Sequence, residues 1–385
     1  MNGSSGVHDV LLVGGGLQNA LIALLLLEAR PSSSVCLVEQ EPAVGGNHTW
    51  AFHAGDVPRR AQNVVDALVV HRWPGYDVLF PTLRREIDDP YAAITSERLR
   101  SVVERRFRQA PASTLLTGAR VARLTGSQVT LSDGRVLSGR VVIDARGPER
   151  TEHDAGTGYQ KFVGLELLVE SHALARPILM DATVQQLDGL RFLYVLPLAP
   201  DRLLVEDTYF STSPALDRDS VAARALSYAR GMGLAVRGVV RREAGVLPMP
   251  IGQPPAPSGR SPLLAGYAGG WFHPATGYSF PVALRLAEFL AATPYEDWFG
   301  PGFERLVARH RTQFRFGTLL NRMLFSWFEP EARWNALERF YRMPEDTIRR
   351  FYALDTTSGD RLRILCGRPP RGLSLGAVLS GGAAS

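Results

Sequence analysis

Two groups of residues in this chain could do chemistry. The first is Gly14-Gly15-Gly16, followed by Leu17 and, after the next apolar run, by Glu39. Glycines let a backbone approach a pyrophosphate, and the helix behind them offers amide donors and the positive end of its dipole. A carboxylate about 20 residues further on can accept hydrogen bonds from a ribose diol. The second group is Glu206-Asp207, which ends the run Arg202-Leu203-Leu204-Val205. Side chains alternate along a strand, so these two carboxyls point to opposite faces and only one can line a given cavity. Asp181, after Ile178-Leu179-Met180, is a further strand-end acid, placed to act as a base or to cap a turn. Solvation at a strand end would account for such acids without any chemistry.

The elements that must hold these residues follow from the apolar patterning. Residues 9–13 read as a short buried strand, 17–30 as an Ala/Leu-rich helix and 35–39 as a second strand, which is the β-α-β order of a dinucleotide site. Asn19 stands where the third glycine of the fingerprint is usual, so close helix-to-strand packing rests on the small Ala20 or on a slight shift. The acid at 39 argues against a 2′-phosphate on that ribose, and FAD and NAD both satisfy it. Residues 119–124 and 129–131 read as a small hairpin unit with Asp133-Gly134 in its turn, and 141–144 as a strand. Short strands at 163–169, 178–180, 192–196 and 203–206 make a mostly antiparallel sheet with Phe192, Tyr194 and Leu204 on an apolar face. A strand at 262–265 then runs through Gly266, Gly269-Gly270 and His273-Pro274-Ala275-Thr276-Gly277-Tyr278-Ser279 into a helix over about 281–290.

Composition narrows the class. The 385 residues, 45% hydrophobic and 21% charged, can bury the cores of more than one folded unit. The longest apolar stretch, 20–27, falls short of the ~20 residues that cross a bilayer. No basic and apolar leader opens the chain, so secretion is not expected. Cys36 and Cys366 stand at opposite ends of the sequence without a His/Cys cluster, which leaves no disulfide framework and no metal site to expect. The net charge of +5 is nearly all arginine, since Lys161 is the only lysine, and it is interleaved with acids and lacks a nucleic-acid-binding motif. Nucleic acid is therefore not an expected partner.

Glu39-Gln40-Glu41-Pro42-Ala43-Val44-Gly45-Gly46 resembles the FAD-binding domains of the glutathione-reductase type, where such a glycine pair lies near the flavin side of the nucleotide. Gly45-Gly46-Asn47-His48-Thr49-Trp50, Met180-Asp181-Ala182-Thr183, Val205-Glu206-Asp207-Thr208 and the His273–Ser279 stretch together resemble bacterial lycopene β-cyclases. So do Leu320-Asn321-Arg322-Met323-Leu324-Phe325, Arg339-Phe340-Tyr341 and 360–365, and the resemblance spans almost the whole chain. It implies an α/β fold: a Rossmann-like FAD-binding domain over 1–158 and again over 259–300, an antiparallel substrate-binding sheet over 159–258, and a helical segment over 301–385. The tail from 372, rich in Gly, Ala and Ser, is expected to be mobile.

The activity implied is closure of β-rings on lycopene through γ-carotene to β-carotene. A proton adds to the C1–C2 double bond, the C5–C6 double bond attacks the cation, and a proton leaves C6, with no net redox change. The resemblance implies FAD in its reduced form, with NAD(P)H as the electron source, and Gly14, Gly15, Gly16, Leu17, Glu39, Gly46, Asn47, Val121, Gly277 and Tyr278 as its contacts. The helix after Ser279 would face the flavin, its dipole favouring negative charge there. His273 and Tyr278 also read as ordinary packing. Glu206 matches the acidic residue of the family's catalytic strand, and a carboxyl in an apolar tunnel keeps its proton near neutrality. Asp207 would orient a loop or pair with an arginine. The aromatic and leucine stripe of 314–328, interleaved by Arg315 and Arg322, reads as an interfacial helix on the cytoplasmic side of the inner membrane, or as a cap on the core. A flavin monooxygenase or reductase on an isoprenoid lipid, and a carotenoid carrier without activity, are the competing functions.

Overall fold

A computed structural model describes residues 7–147, 157–252 and 259–367 together with Gly372. The expected tail mobility concerns residues that, Gly372 apart, lie outside this set. The chain opens with β1 (His8–Val13), α1 (Leu17–Ala29) and β2 (Val35–Val38). Helix α1 is apolar all round and buried over Leu17–Leu27, as it must be when other helices cover it from more than one side. Then come β3 (Thr49–His53), α2 (Gln62–Leu68), β4 (His71–Trp73), β5 (Tyr76–Phe80), β6 (Leu83–Ile87), β7 (Tyr91–Thr95) and α3 (Ser96–Arg108). Thr95 starts α3 by accepting a hydrogen bond from the Arg98 amide. Next are β8 (Thr114–Leu116), β9 (Val121–Leu124), β10 (Gln128–Leu131), β11 (Val136–Asp144), β12 (Thr157–Val169), β13 (Ile178–Asp181), β14 (Leu190–Ala199) and β15 (Arg202–Ser211). Helix α4 (Arg218–Gly231), β16 (Val236–Pro250), β17 (Leu263–Leu264) and α5 (Phe280–Ala292) follow, and α6 (Pro301–Trp327), α7 (Trp334–Phe340), α8 (Glu345–Tyr352) and α9 (Ser358–Leu365) complete the described fold.

The strands form three sheets. The first runs β8-β2-β1-β11-β10-β9, with β17 against β11, and is parallel around β1 where crossovers cover it. Helices α3 and α5 pack on α1. The Asp133-Gly134 turn joins β10 to β11 and not the two strands of the expected hairpin, because Gly134 at φ +86° turns the chain one strand later.

The second sheet runs β16-β12-β15-β14-β13-β5-β6. Its last two strands come from 76–87, inside the stretch expected to belong wholly to the nucleotide domain, because β5 pairs in parallel with β13, a hundred residues later in the chain. Val163, Leu165, Leu203, Val205 and Val195 on one face pack against α4. Phe192, Leu196, Leu204 and Phe210 on the other share a core with α6 to α9. A small third sheet, β3-β7-β4, bridges the two halves.

Strand β15 continues to Ser211, so Glu206 and Asp207 lie in mid-strand and not at the expected end. β-Branched and aromatic Thr208, Tyr209 and Phe210 carry the ladder on, and the acids are tolerated because each has its own compensation. The stripe on α6 is also clearer than its sequence. Phe314, Phe316 and Phe328 are buried in the core, so the cap is what the helix forms there, while Leu319 is 40% exposed. Among the described residues no helix is long and apolar enough to cross a membrane.

Candidate functional site

Gly14 sits at φ +94°, and a Cβ there would lie 2.9 Å from the Ala145 backbone, so only glycine lets β1 end against β11. A Cβ on Gly16 would meet nothing within 4 Å, which leaves the N-terminus of α1 open. The Gly15 amide donates to Glu39 Oε2 at 2.6 Å and the Glu41 amide to Glu39 Oε1 at 2.8 Å, so the carboxylate expected to meet a ribose also clamps the turn. Asn19 does by hydrogen bonding what a glycine would do by absence. Its Nδ2 donates to Val13 O and Gly14 O, both at 2.9 Å, tying the helix to the strand end. The Gln18 and Asn19 side-chain oxygens are buried without partners at the start of this helix.

The Gly45 amide donates to Gly15 O at 2.9 Å, and Gly45 and Gly46 both have positive φ, so the glycine pair is fastened to the turn. Asn47 Nδ2 donates to Arg242 O and its Oδ1 accepts from Arg241, joining this loop to β16. The Gly118 and Ala119 amides donate to the Glu41 and Glu39 carbonyls, and Val121 at the start of β9 packs on the core that holds Val13 and Val38 at the ends of β1 and β2. Gly277, at φ +65°, lies against Leu247 and Gln160 of the second sheet. Tyr278 donates to Asp56 Oδ2 at 2.6 Å, and Ser279 starts α5 without a side-chain cap. Open amides at α1 and α5, the unpartnered oxygens and the glycine cradles fit a dinucleotide running from Glu39 towards α5.

That end of the groove opens into a cavity of about 570 Å³. Thr49, Trp50 and Gly277–Phe280 bound it on the nucleotide side, Phe192, Tyr194, Glu206 and Phe210 on the sheet, and Leu320, Met323, Trp327 and Leu365 on the helices. Leu204, expected on the same wall, packs in the core behind it. Glu206 is partly open, and the surface it leaves open faces this cavity. Its carboxyl accepts from Thr208 Oγ1 at 2.8 Å. Burial, reinforced by Glu243, pushes it up to about 8. The register sets Glu243, Gly164, Glu206 and Tyr194 in one row across β16, β12, β15 and β14, and a side chain at Gly164 would strike Glu243.

The other two candidate acids are not in the cavity. Asp207 is wholly buried on the α4 face, where Arg191 Nε and Nη2 donate to its two oxygens at 2.8 and 2.9 Å and Tyr209 donates at 3.0 Å. Burial opposes the charge on Arg191, and the Asp207 hydrogen bonds outweigh it and raise the guanidinium above its ordinary value. Asp181 accepts from the Thr183 amide at 3.0 Å and from Tyr228 of α4 at 2.6 Å, which is the turn cap and not the base. Alternation turns Asp207 away from the cavity, and the register sets Asp181 in the same row through Leu193, after an irregularity in β13. His273 is packing: its Nε2 meets Phe351 O at 2.9 Å, and burial lowers it to about 3. His53 and Tyr91, which line the cavity, and Glu243 and Asp89, which lie behind Glu206 and His53, were not legible as site residues, since only the pairing of strands apart in sequence brings them together.

Comparison with known proteins places this architecture. The family described as lycopene cyclase protein matches residues 9–377. The chain is 40% identical over 370 residues to a lycopene beta-cyclase of Pantoea ananas, covering 94% of this chain and 95% of that relative. Among solved structures it resembles a geranylgeranyl bacteriochlorophyll reductase-like protein from Thermoplasma acidophilum, with TM-score 0.63 at 13% identity, over 93% of this chain and 96% of the other. It also resembles a probable FAD-dependent monooxygenase from Pseudomonas aeruginosa, with TM-score 0.58 at 19% identity, over 86% and 98%. At such identities these two likenesses speak to the fold alone.

Proposed function

We propose, from the premise that this chain belongs to the lycopene cyclase protein family, that it is an enzyme closing β-rings on lycopene, through γ-carotene to β-carotene. The observation that carries the chemistry is Glu206: a carboxyl that keeps its proton up to about pH 8, on the wall of an apolar cavity that adjoins the glycine-lined groove. Such a group gives its proton to the C1–C2 double bond of a polyene end. Phe192, Phe210 and Trp327 exclude water, so the cation that forms meets the C5–C6 double bond before it meets a competing nucleophile.

The residues present fit FAD. Gly14 to Leu17 would hold its pyrophosphate, Glu39 and Val121 the adenosine side, and Gly46, Asn47, Gly277 and Tyr278 the flavin side. Bound there and reduced by NAD(P)H, such a flavin would supply electron density that stabilises a cation. Because ring closure moves no net electrons, product and substrate are isomers. The purified protein with prereduced flavin, kept anaerobic with lycopene, is expected to yield a pigment of unchanged mass and the absorption of β-carotene. A product of altered mass would favour a monooxygenase or reductase, and tight pigment binding without conversion a carrier.

The substrate's insolubility in water supports a peripheral site on the cytoplasmic side of the inner membrane. Leu365 both lines the cavity and is 42% exposed, and Leu362, one turn earlier on α9, is 64% exposed. Exposed leucines beside Arg322, Arg361 and Arg363 suit acyl chains below a phosphate layer. Leu319→Glu with Leu362→Glu is expected to lower binding to anionic vesicles about 10-fold or more, since each leucine side chain contributes on the order of 1.5–3 kcal/mol when buried. Flotation with such vesicles measures this, and unchanged binding would move the docking face elsewhere.

A further inference from the structure

The reaction leaves one proton without an acceptor. Glu206 supplies the proton that enters at C2, and the closing bond forms on the opposite face of the C1–C2 double bond in an anti addition. An acceptor for the C6 proton is therefore best placed on a second wall of the cavity. That wall holds His53, at the end of β3 and directly opposite Tyr91 of β7. His53 Nδ1 is 2.8 Å from Asp89 Oδ2, and Asp89 Oδ1 accepts from Arg349 Nε at 3.1 Å. The histidine and the aspartate are almost wholly buried. Nδ1 faces the carboxylate and the ring also accepts from the Asp56 backbone amide, and a neutral tautomer protonated at Nδ1 presents Nε2 as its basic nitrogen.

The surroundings suit a cation as well as a base. The rings of Tyr76, Tyr91, Tyr352 and Tyr278 lie with centroids 5.5, 5.0, 5.3 and 6.2 Å from that of His53. Aromatic faces attract positive charge. Asp56 accepts from the His53 amide and from Tyr278, so the charged groups facing the imidazole are Asp89, Asp56 and, through Asp89, Arg349. Burial opposes the charge on Asp89, but His53 and Arg349 overcome it and hold the carboxyl below its usual range.

Resting on the cyclase reading, we propose that His53, oriented by Asp89, is the general base that takes the C6 proton, and that the Tyr91 and Tyr194 hydroxyls span the way back to Glu206. These hydroxyls are 3.2 Å apart, and Tyr194 is the cross-strand neighbour of Glu206. The step balances. The Glu206 O–H breaks as C2–H forms, the C5–C6 electrons form C1–C6, and C6–H breaks to restore a C5–C6 double bond. The proton passes to His53 Nε2 and returns to the carboxylate, and nothing is oxidised or reduced.

A test that a merely structural role would not satisfy is the position of the ring double bond. Without its base, the C5 cation loses whichever proton is accessible, giving a C4–C5 double bond or an exocyclic methylene. In the full-length, flavin-loaded protein, His53→Asn is expected to lower β-ring formation by about 100-fold or more and to enrich those isomers. Asp89→Asn is expected to slow β-ring formation and to enrich the same isomers, because the imidazole loses the carboxylate that orients it. Tyr91→Phe is expected to slow turnover without changing the isomer. Wild-type rate and isomer in His53→Asn would overturn the inference while leaving the cyclase reading intact. Absence of any ring closure by the wild-type protein would overturn both. Should His53→Asn lose flavin or fold, a wild-type isomer ratio in Asp89→Asn would overturn it instead.

Discussion

Glu206→Gln is expected to bind flavin and lycopene normally and to lose about 10²–10⁴-fold in β-ring formation, the range that a positioned general acid contributes. The substitution keeps the shape of the side chain and an acceptor for Thr208, so what it removes is the transferable proton. The pH dependence has a definite sign. The reactive form is the protonated acid, burial and Glu243 raise it to about 8, and cyclisation by the wild-type protein therefore declines as the pH rises through about 8. Stability follows the same direction. A proton held more tightly in the folded than in the unfolded chain stabilises fully below the ordinary carboxylate range. That contribution is lost as the pH climbs towards about 8. Rates of pigment formation against pH, read beside flavin absorbance to confirm loading, measure the effect. An alkaline limb that persists in a still active Glu206→Gln variant would remove this carboxyl from the chemistry.

What was legible in the chain was what short-range spacing encodes. The strand-turn-helix-strand around Gly14 to Glu39 needs only local periodicity and the freedom of glycine, and it is found where the pattern puts it. The opposite facing of Glu206 and Asp207 needs only alternation, although the strand runs on past them because nothing local marks its end. The role of Asn19 was hidden, since a fingerprint describes a missing side chain and not one that bonds back to Val13 and Gly14. The cavity was hidden for a larger reason. Its walls come from β3, β7, β14, β15 and the C-terminal helices, and no periodicity within Tyr76–Phe80 says that it will pair with Ile178–Asp181. His53 and Asp89 look like two ordinary polar residues until the register of β3 against β7 brings them together.

Arg191→Met is expected to cost about 3 kcal/mol of stability, because it leaves the buried Asp207 carboxylate with only the Tyr209 hydroxyl and the more distant Arg224, 3.8 Å away. In a protein of this size that lowers the thermal midpoint by about 4–6 °C. Asp207→Asn strands the guanidinium less severely, since Arg191 Nη1 also reaches the Gln185 carbonyl and the new amide can still meet Tyr209. Joining Arg191→Met with Asp207→Leu is expected to recover much of the loss, as replacing both partners of a buried pair by apolar groups is often nearly neutral. Unfolding of the single and double variants gives the coupling energy directly, and additive losses would mean that the pair stabilises nothing. The pair also has a bearing on the cavity. Arg191 lies on β14 and Asp207 on β15, and the register they lock, Leu193 against Asp207, is the one that sets Tyr194 against Glu206. A slip by one residue would turn Glu206 towards α4. Two adjacent carboxyls should therefore separate cleanly: Glu206→Gln stays folded and inactive, whereas Asp207→Asn is less stable and keeps its cyclisation wherever it remains folded.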